Sequence, residues 1–401
     1  MNHALYLHIP FCTHRCAYCD FNTYAGQEAL IPAYVDALCA EAWSVARAWE
    51  DRGLQAPLKI DTVFFGGGTP SLLRVEQVRR ILGVLRNCFW VDPDAEITLE
   101  ANPGTVTPEA LQGLREAGVN RLSYGVQSAD GEILRVLERS HNFRQAEEAV
   151  HHARSAGFDN LSLDLMLGVM SQSMDSWRTT LEHALGLRPE HLSLYMLSVE
   201  EGTPLAAWVR DGVLPSPDPD LAAEMYEHAC EVLEDHGYAH YEISNWARRR
   251  PKASAGDDEP GLACRHNLRY WRNLSYLGLG AGAHGSAEGF RYANVLSPQA
   301  YIQRLSARGR EPFPFSAAAA SRQPIDRETE MQETMLMGLR LLQEGVRVTS
   351  FQSRFGQSPQ QAFPEVVERW EAEGLLQADA ERLRLTRRGW LLANQVFMDL
   401  V

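Results

Sequence analysis

The chain has 401 residues, too many for one ordinary hydrophobic core, so two or three domains are expected. Its 45% hydrophobic and 22% charged residues are those of an ordinary globular protein. A formal net charge of −14 argues against nonspecific binding to nucleic-acid phosphates, which needs clustered Lys and Arg.

No apolar run reaches the length of a membrane span, so any membrane contact would be peripheral. Met1-Asn2-His3-Ala4 carries neither the basic region nor the cleavage site of a secretory signal. Seven cysteines, an odd number, fit a reducing compartment, and a cytoplasmic location is expected.

The first apolar run, Ala4–Ile9, reads as a buried strand. It leads directly into Cys12, Cys16 and Cys19, spaced C-x3-C-x2-C. Three thiolates on one tight loop can grip three irons of a 4Fe–4S cluster. Such clusters normally take four cysteines, so one iron would stay open. The alternatives are a Cys3His zinc site completed by His8 or His14, and three incidental thiols. No second C-x2-C pair is present.

Five further short apolar or β-branched runs follow: Ile60–Phe65, Glu96–Glu100, Arg121–Val126, Asn160–Met166 and His191–Leu197. Helix-period segments separate them at Pro32–Asp51, Val75–Asn87, Pro108–Ala117, Arg144–Ala156, Met174–Leu187 and Leu221–His236. Gly53, Gly118, Gly157 and Gly237 stand where helix C-terminal caps are expected. Alternating βα units imply a parallel sheet, and six strands rather than eight imply an incomplete barrel. Polar residues gather at the strand ends: Gly66-Gly67-Gly68-Thr69-Pro70, Glu100-Ala101-Asn102-Pro103, Gln127, Asp164 within its strand, and Ser198. Parallel βα proteins bind ligands at that end. Taken singly, each residue is equally a turn or a cap. The glycine run is not G-x-G-x-x-G, and no Walker lysine follows it.

Residues 248–262 form a charged Gly/Pro-bearing patch that reads as a mobile surface loop. Then come Cys264-Arg-His266-Asn267-Leu-Arg-Tyr270-Trp271 and the Gly-rich Leu277–Gly285. Residues 327–401 read as a small helical module. Its helices fall at Glu328–Gln343, Thr349–Phe355 and Pro364–Glu373, followed by a hairpin wing at Arg382–Gly389 and a last helix to Leu400. This winged-helix pattern suggests DNA contact through Arg382, Arg384, Arg387 and Arg388. The acidic total opposes that, and packing against the barrel or a partner is expected instead. The expected domains are 1–240, a connecting segment 241–326, and 327–401.

The cysteine triplet after a strand, with the Gly66–Pro70 run about sixty residues on, resembles the radical S-adenosylmethionine (SAM) family. That resemblance implies an α/β fold, an incomplete (βα)6 TIM-like barrel followed by the winged-helix-like domain. It also implies SAM on the open iron of the cluster. Gly67, Gly68 and Thr69 then match the motif at the SAM amino end. Tyr6 precedes His8-Ile-Pro-Phe-Cys12 as in the oxygen-independent coproporphyrinogen dehydrogenase relatives. Tyr18 takes the place of the aromatic residue beside adenine. Glu100, Gln127, Arg139 and Asp164 fall at matching SAM contacts, and Ser198 joins them at the last strand end. By type, Glu100 and Asp164 accept hydrogen bonds from ribose hydroxyls or an ammonium, and Arg139 clamps a carboxylate. The bland alternative for Arg139, beside Glu138 and Arg135, is a solvated charge.

Two departures separate this chain from the dehydrogenase branch: Phe21 where that branch has a further cysteine, and eleven residues rather than a long extension before Cys12. Both resemble the HemW-type heme chaperone branch. That resemblance implies heme as a bound group, heme-accepting proteins as partners, and an electron donor that the sequence does not identify. Heme iron takes His, Cys, Met or Tyr. His266 is the first candidate, with Cys264 and His284 behind it. Tyr270-Trp271 and Gly278–Gly285 offer either an apolar surface for the macrocycle or core packing. The alternative function is the coproporphyrinogen III dehydrogenase itself.

Overall fold

The computed structural model describes residues 2–54, 56–249, 261–307 and 309–400. Most of the 248–262 patch therefore lies outside the described residues. Two compact units emerge: Met1–Met225 with Ser275–Gln323, and Tyr226–Leu274 with Pro324–Val401. The 241–326 segment contributes residues to both.

Unit one is built on six parallel strands in sequence order: β1 (Asn2–Ile9), β2 (Lys59–Gly67), β3 (Trp90–Ala101), β4 (Arg121–Gln127), β5 (Leu161–Leu167) and β6 (His191–Met196). This is the (βα)6 arrangement expected from the alternating runs. The connecting helices are α1 (Ile31–Glu50), α2 (Val75–Cys88), α3 (Pro108–Ala117), α4 (Gly131–Val136), α5 (Phe143–Ser155) and α6 (Met174–Gly186). Their starts follow from local chemistry. Thr107, Asp130, Asn142 and Ser173 each cap a helix by accepting an N–H two or three residues on. Gly53, Gly118, Gly157 and Gly237 all take positive φ, as their cap positions require.

The sheet does not end at β1. Its outer edge pairs in parallel with Tyr276–Leu279, and His284–Ala287, Phe290–Asn294 and Ala319–Pro324 extend the sheet further. The Gly-rich stretch thus forms strands and a turn, and the core-packing alternative holds. Leu277, Leu279, Ala281 and Ala283 are buried. A Cβ on Gly278 would meet the His284 carbonyl, and one on Gly285 the Tyr292 ring. Period-two reading misses these strands because glycine carries no side-chain signal.

α1 requires a second correction. Among the described residues it is the one helix that, with the preceding turn (Glu28–Glu50), is long and apolar enough to cross a membrane. It packs as a core helix, with Val35, Leu38, Ala42 and Val45 buried. It also buries a carboxylate. Glu41 accepts hydrogen bonds from the Gly280 amide (2.8 Å), Asn294 Nδ2 (2.8 Å), Tyr301 Oη (2.5 Å) and Ser316 Oγ (2.6 Å). Burial pushes its pKa up, and these four donors oppose the shift.

Unit two carries a three-stranded sheet in the order Val346–Arg347, Arg382–Leu385, Leu376–Ala378. Helices Arg327–Gly338, Val348–Phe355 and Pro364–Ala372 close over it. Leu339, Phe351, Trp370, Leu383 and Val396 are core residues there. The wing is displaced from its expected place. Its strands are Leu376–Ala378 and Arg382–Leu385, while Thr386 caps a new helix, Arg387–Leu391, through the Gly389 amide. A threonine three residues before a glycine amide is a cap signal that the basic run obscures. Arg382 and Arg388 donate to the carbonyls of Gln343 and Glu373 within the same unit.

Candidate functional site

The carboxyl ends of the six strands enclose a cleft of about 350 Å³. Cys12, Cys16, Cys19, Tyr18, Gly67, Gly68, Thr69, Glu100, Gln127, Arg139, Asp164 and Ser198 all line it. Residues from seven separate segments are thus brought together.

The cysteine loop is closed at its base. Phe11–Cys12 pairs with Tyr24–Ala25, and the Tyr24 amide donates to the Pro10 carbonyl at 2.7 Å. At its middle, Ala17 is fully buried in an apolar cluster with Ile133, Leu137, Met166 and Leu205. The Leu205 amide holds its carbonyl at 3.0 Å. Burying Ala17 turns its neighbours Cys16 and Tyr18 toward the cleft.

Each thiol has its own polar neighbour. Thr69 Oγ1 lies 3.6 Å from Cys12 Sγ, an Arg139 guanidinium nitrogen 3.3 Å from Cys16 Sγ, and Thr23 Oγ1 3.8 Å from Cys19 Sγ. All seven cysteines are free. Burial pushes the Cys12 thiol up, and the Thr69 hydroxyl pulls it back. Among the described residues, neither histidine of the zinc alternative groups with the thiols as a metal site. Burial lowers the His8 pKa. Its Nδ1 is 2.9 Å from the Tyr6 hydroxyl and its Nε2 2.9 Å from the Asn22 carbonyl, so both ring nitrogens are engaged. His14 is half exposed and faces Glu138 at 3.6 Å. Among the described residues, no three of His, Cys, Asp or Glu converge on a single ion position. A 4Fe–4S cluster needs thiolates set apart, one to each iron.

The glycines admit no side chain. A Cβ on Gly68 would stand 2.9 Å from Cys12 Sγ and 2.7 Å from the Phe11 carbonyl. Gly67, at φ +115°, would strike the His8 ring. Its amide donates to Glu100 Oε2 at 3.1 Å.

Glu100 and Asp164 both line the cleft and are partly exposed to it. Burial, then the Asp164 charge, pushes Glu100 up to about 8, while the Gly67 amide and Arg121 oppose the shift. Burial also raises Asp164, against hydrogen bonds from Ser193 and Ser123 and the charge of Arg121. Two carboxylates held this way favour a cation or hydroxyl donors. Gln127 ends its strand at a register shift with φ +66°. Its buried Oε1 has no hydrogen-bond partner among the described residues. A bulge of this kind re-aims a side chain. Arg139 is no solvated charge. Its guanidinium bonds the Asn102 amide oxygen and the Gly125 carbonyl as well as Cys16. The donor set therefore fits an open cluster with an amino-acid ligand: three thiols, a guanidinium, an orphaned amide oxygen and paired carboxylates.

Two predicted residues stand elsewhere. Tyr6 is not at the cleft wall. It lies behind the glycine turn, with its ring stacked on Phe64 and its hydroxyl on His8. His266 belongs to unit two, on helix Arg265–Trp271, 1% exposed and bonded to the Tyr270 hydroxyl at 2.9 Å. Cys264 is fully buried there, while Trp271 lies under the Arg340 guanidinium at 4.3 Å. His284 is exposed in unit one. Asn102, expected among the strand-end polar residues, bridges Arg139 and Thr69, and two contributors were missed: Ser123, which bonds both oxygens of Asp164, and Thr23. Alternation from Gln127 back through Gly125 would have found Ser123.

The radical SAM superfamily domain matches residues 6–184, and the HemN C-terminal domain matches residues 325–392. The heme chaperone HemW of Bacillus subtilis is 36% identical over 396 residues, 98% of each chain. This chain belongs to the HemW-type branch of the radical SAM superfamily. A mitochondrial radical S-adenosyl methionine domain-containing protein 1 from Bos taurus is 35% identical, across 99% of this chain and 87% of its own. Among solved structures, the coproporphyrinogen III oxidase HemN of Escherichia coli, a radical SAM enzyme, matches with a TM-score of 0.82 at 25% identity. That match covers 100% of this chain and 90% of HemN. Superfamily membership brings a 4Fe–4S cluster and SAM as cofactors.

Proposed function

We propose that this chain is a cytoplasmic heme chaperone, which binds heme and passes it to acceptor proteins. Cys12, Cys16 and Cys19 hold the cluster, with SAM on the open iron. A cluster held by these cysteines would, when reduced, be able to supply an electron to bound SAM. The protein's own part is placement. The Gly67–Gly68 backbone leaves room for the SAM amino end. Arg139 and Gln127 orient polar groups beside the cluster, and Glu100 and Asp164 accept hydrogen bonds from ammonium or ribose. Tyr18, neutral because burial raises its pKa, covers the adenine side. Thr69 and Ser198 complete the rim.

The observation that carries the choice of chaperone is Phe21. It stands where the dehydrogenase branch has a cysteine, 64% exposed at the cleft rim. An apolar ring there cannot supply thiol chemistry. The full-length similarity to HemW supports the same reading. The dehydrogenase remains the second reading, favoured by the likeness to HemN. Heme ligation is assigned to His266, which must leave its Tyr270 contact to reach iron.

The test is hemin added to anaerobically reconstituted protein, and coproporphyrinogen added separately with SAM and a reductant. The expected result is a shifted Soret band and no decarboxylated porphyrin product. Sustained turnover of coproporphyrinogen overturns the choice. An unchanged hemin spectrum and affinity in His266→Ala removes the ligand assignment alone.

A further inference from the structure

We infer that Asn22 and the Gly280–Gly282 turn form a clamp that places the Thr23 hydroxyl on the third cluster cysteine and so tunes the cluster. The inference rests on the cluster assignment above.

Asn22 follows Cys19 by three residues and is fixed from two sides. Its carbonyl receives the His8 Nε2 proton at 2.9 Å. Its Nδ2 donates to the Ala281 carbonyl at 3.2 Å and the Leu296 carbonyl at 3.0 Å. The receiving turn is itself held. The Ala281 amide donates to Tyr34 Oη at 2.7 Å, and that hydroxyl donates to the His8 carbonyl at 2.8 Å. The Gly280 amide is anchored on buried Glu41. Gly280 and Gly282 have φ of +102° and +78°. A Cβ on Gly282 would lie 2.2 Å from Asn22 Nδ2, so a side chain there displaces the clamp. The Gly-rich stretch thus has work at the back of the cysteine loop.

The consequence falls on the next residue. Thr23 is 6% exposed, and its hydroxyl lies 3.8 Å from Cys19 Sγ. When Cys19 is a ligand thiolate its sulfur can only accept, so the Thr23 hydroxyl is the donor of that pair. A donor to a cluster sulfur stabilises the extra electron of the reduced state and raises the reduction potential. Outer-shell partners of this kind also govern retention of the metal. Thr23 is therefore a positioning and tuning residue held by Asn22.

The experiment compares wild type, Thr23→Val, Thr23→Ser, Asn22→Ala and Gly282→Ala after anaerobic reconstitution of the full chain. Potentiometry followed by electron paramagnetic resonance (EPR) gives the potential, and iron release to a chelator gives retention. Circular dichroism confirms folding. Thr23→Val is expected to shift the potential downward, with about 10-fold faster iron loss. Thr23→Ser, which keeps the hydroxyl, is expected to behave as wild type. Asn22→Ala should reproduce the valine variant, and Gly282→Ala, if folded, should match it. Wild-type potential and retention in Thr23→Val overturn the tuning role. A shift in Thr23→Val without one in Asn22→Ala overturns the clamp. Wild type without a 4Fe–4S cluster instead defeats the underlying assignment.

Discussion

The two compact units differ in where their under-satisfied polar groups gather. In unit one, under-satisfied polar atoms of Gln127 and Arg139 lie together on one cleft. Gln127 Oε1 lacks a partner among the described residues, and Glu100 is pushed up to about 8 beside a second carboxylate. Unit two pairs several of its polar groups, yet leaves Asn245 Oδ1, Trp246 Nε1 and Trp390 Nε1 without a hydrogen-bond partner among the described residues. His266 is on Tyr270, Arg272 and Arg347 share Glu344, and His240 sits against Cys230, stacked on Trp246 at 3.9 Å. Unsatisfied buried polarity costs stability and persists where a ligand repays it. Paired polarity reads as architecture. The clustering along one cleft supports placing the proposed cofactor chemistry in unit one.

The largest expected effect breaks that contrast at its source. Replacing Cys12, Cys16 and Cys19 together with Ala should abolish the cluster's visible absorbance and nearly all reconstituted iron. The same substitution at Cys39, Cys88 and Cys230, which are buried apolar cysteines, should leave about four irons per chain. Iron counted against protein decides it. Equal loss in both triplets would contradict the assignment.

A smaller effect is expected at the carboxylates. Glu100→Gln with Asp164→Asn keeps shape and removes both acceptor charges. SAM affinity, measured by equilibrium dialysis, should fall about 10- to 100-fold, the range of hydrogen bonds to charged groups. Unchanged affinity would place SAM elsewhere.

The smallest effect sharpens the comparison through pH. Glu100 has a folded pKa of about 8 against an ordinary value of 4.5, so the unliganded fold is most favoured while it is protonated. Its contribution is full below pH 4.5 and is lost as pH rises to about 8. Thermal midpoints of cofactor-free protein should decline across that window, and Glu100→Gln should decline less steeply. SAM, which favours the ionised form, should bind the wild type more tightly as pH rises through the same window. Parallel pH profiles in both proteins would show that Glu100 does not titrate there.

Much of unit one was legible because its signals are periodic. All six parallel strands and their glycine caps follow from apolar runs and turn residues. The four added strands were not, because Gly278 and Gly285 are chosen for close contact and give no alternation. The cysteines, Glu100, Gln127 and Asp164 were legible as strand-end residues. Tyr6 was misplaced, since spacing sets which face a residue takes but not how deep it lies. Thr23 and Ser123 act through another residue, Cys19 and Asp164, and neither belongs to a recognised motif. The wing slipped because Thr386 caps a helix within a basic run that resembles a strand.

The most direct measurement is the EPR spectrum of the reduced, reconstituted full-length protein before and after SAM is added. An open iron that accepts SAM predicts a changed signal in wild type, weakened or absent in the Glu100→Gln, Asp164→Asn protein at the same SAM concentration. A spectrum that does not change while dialysis shows SAM bound would contradict the account.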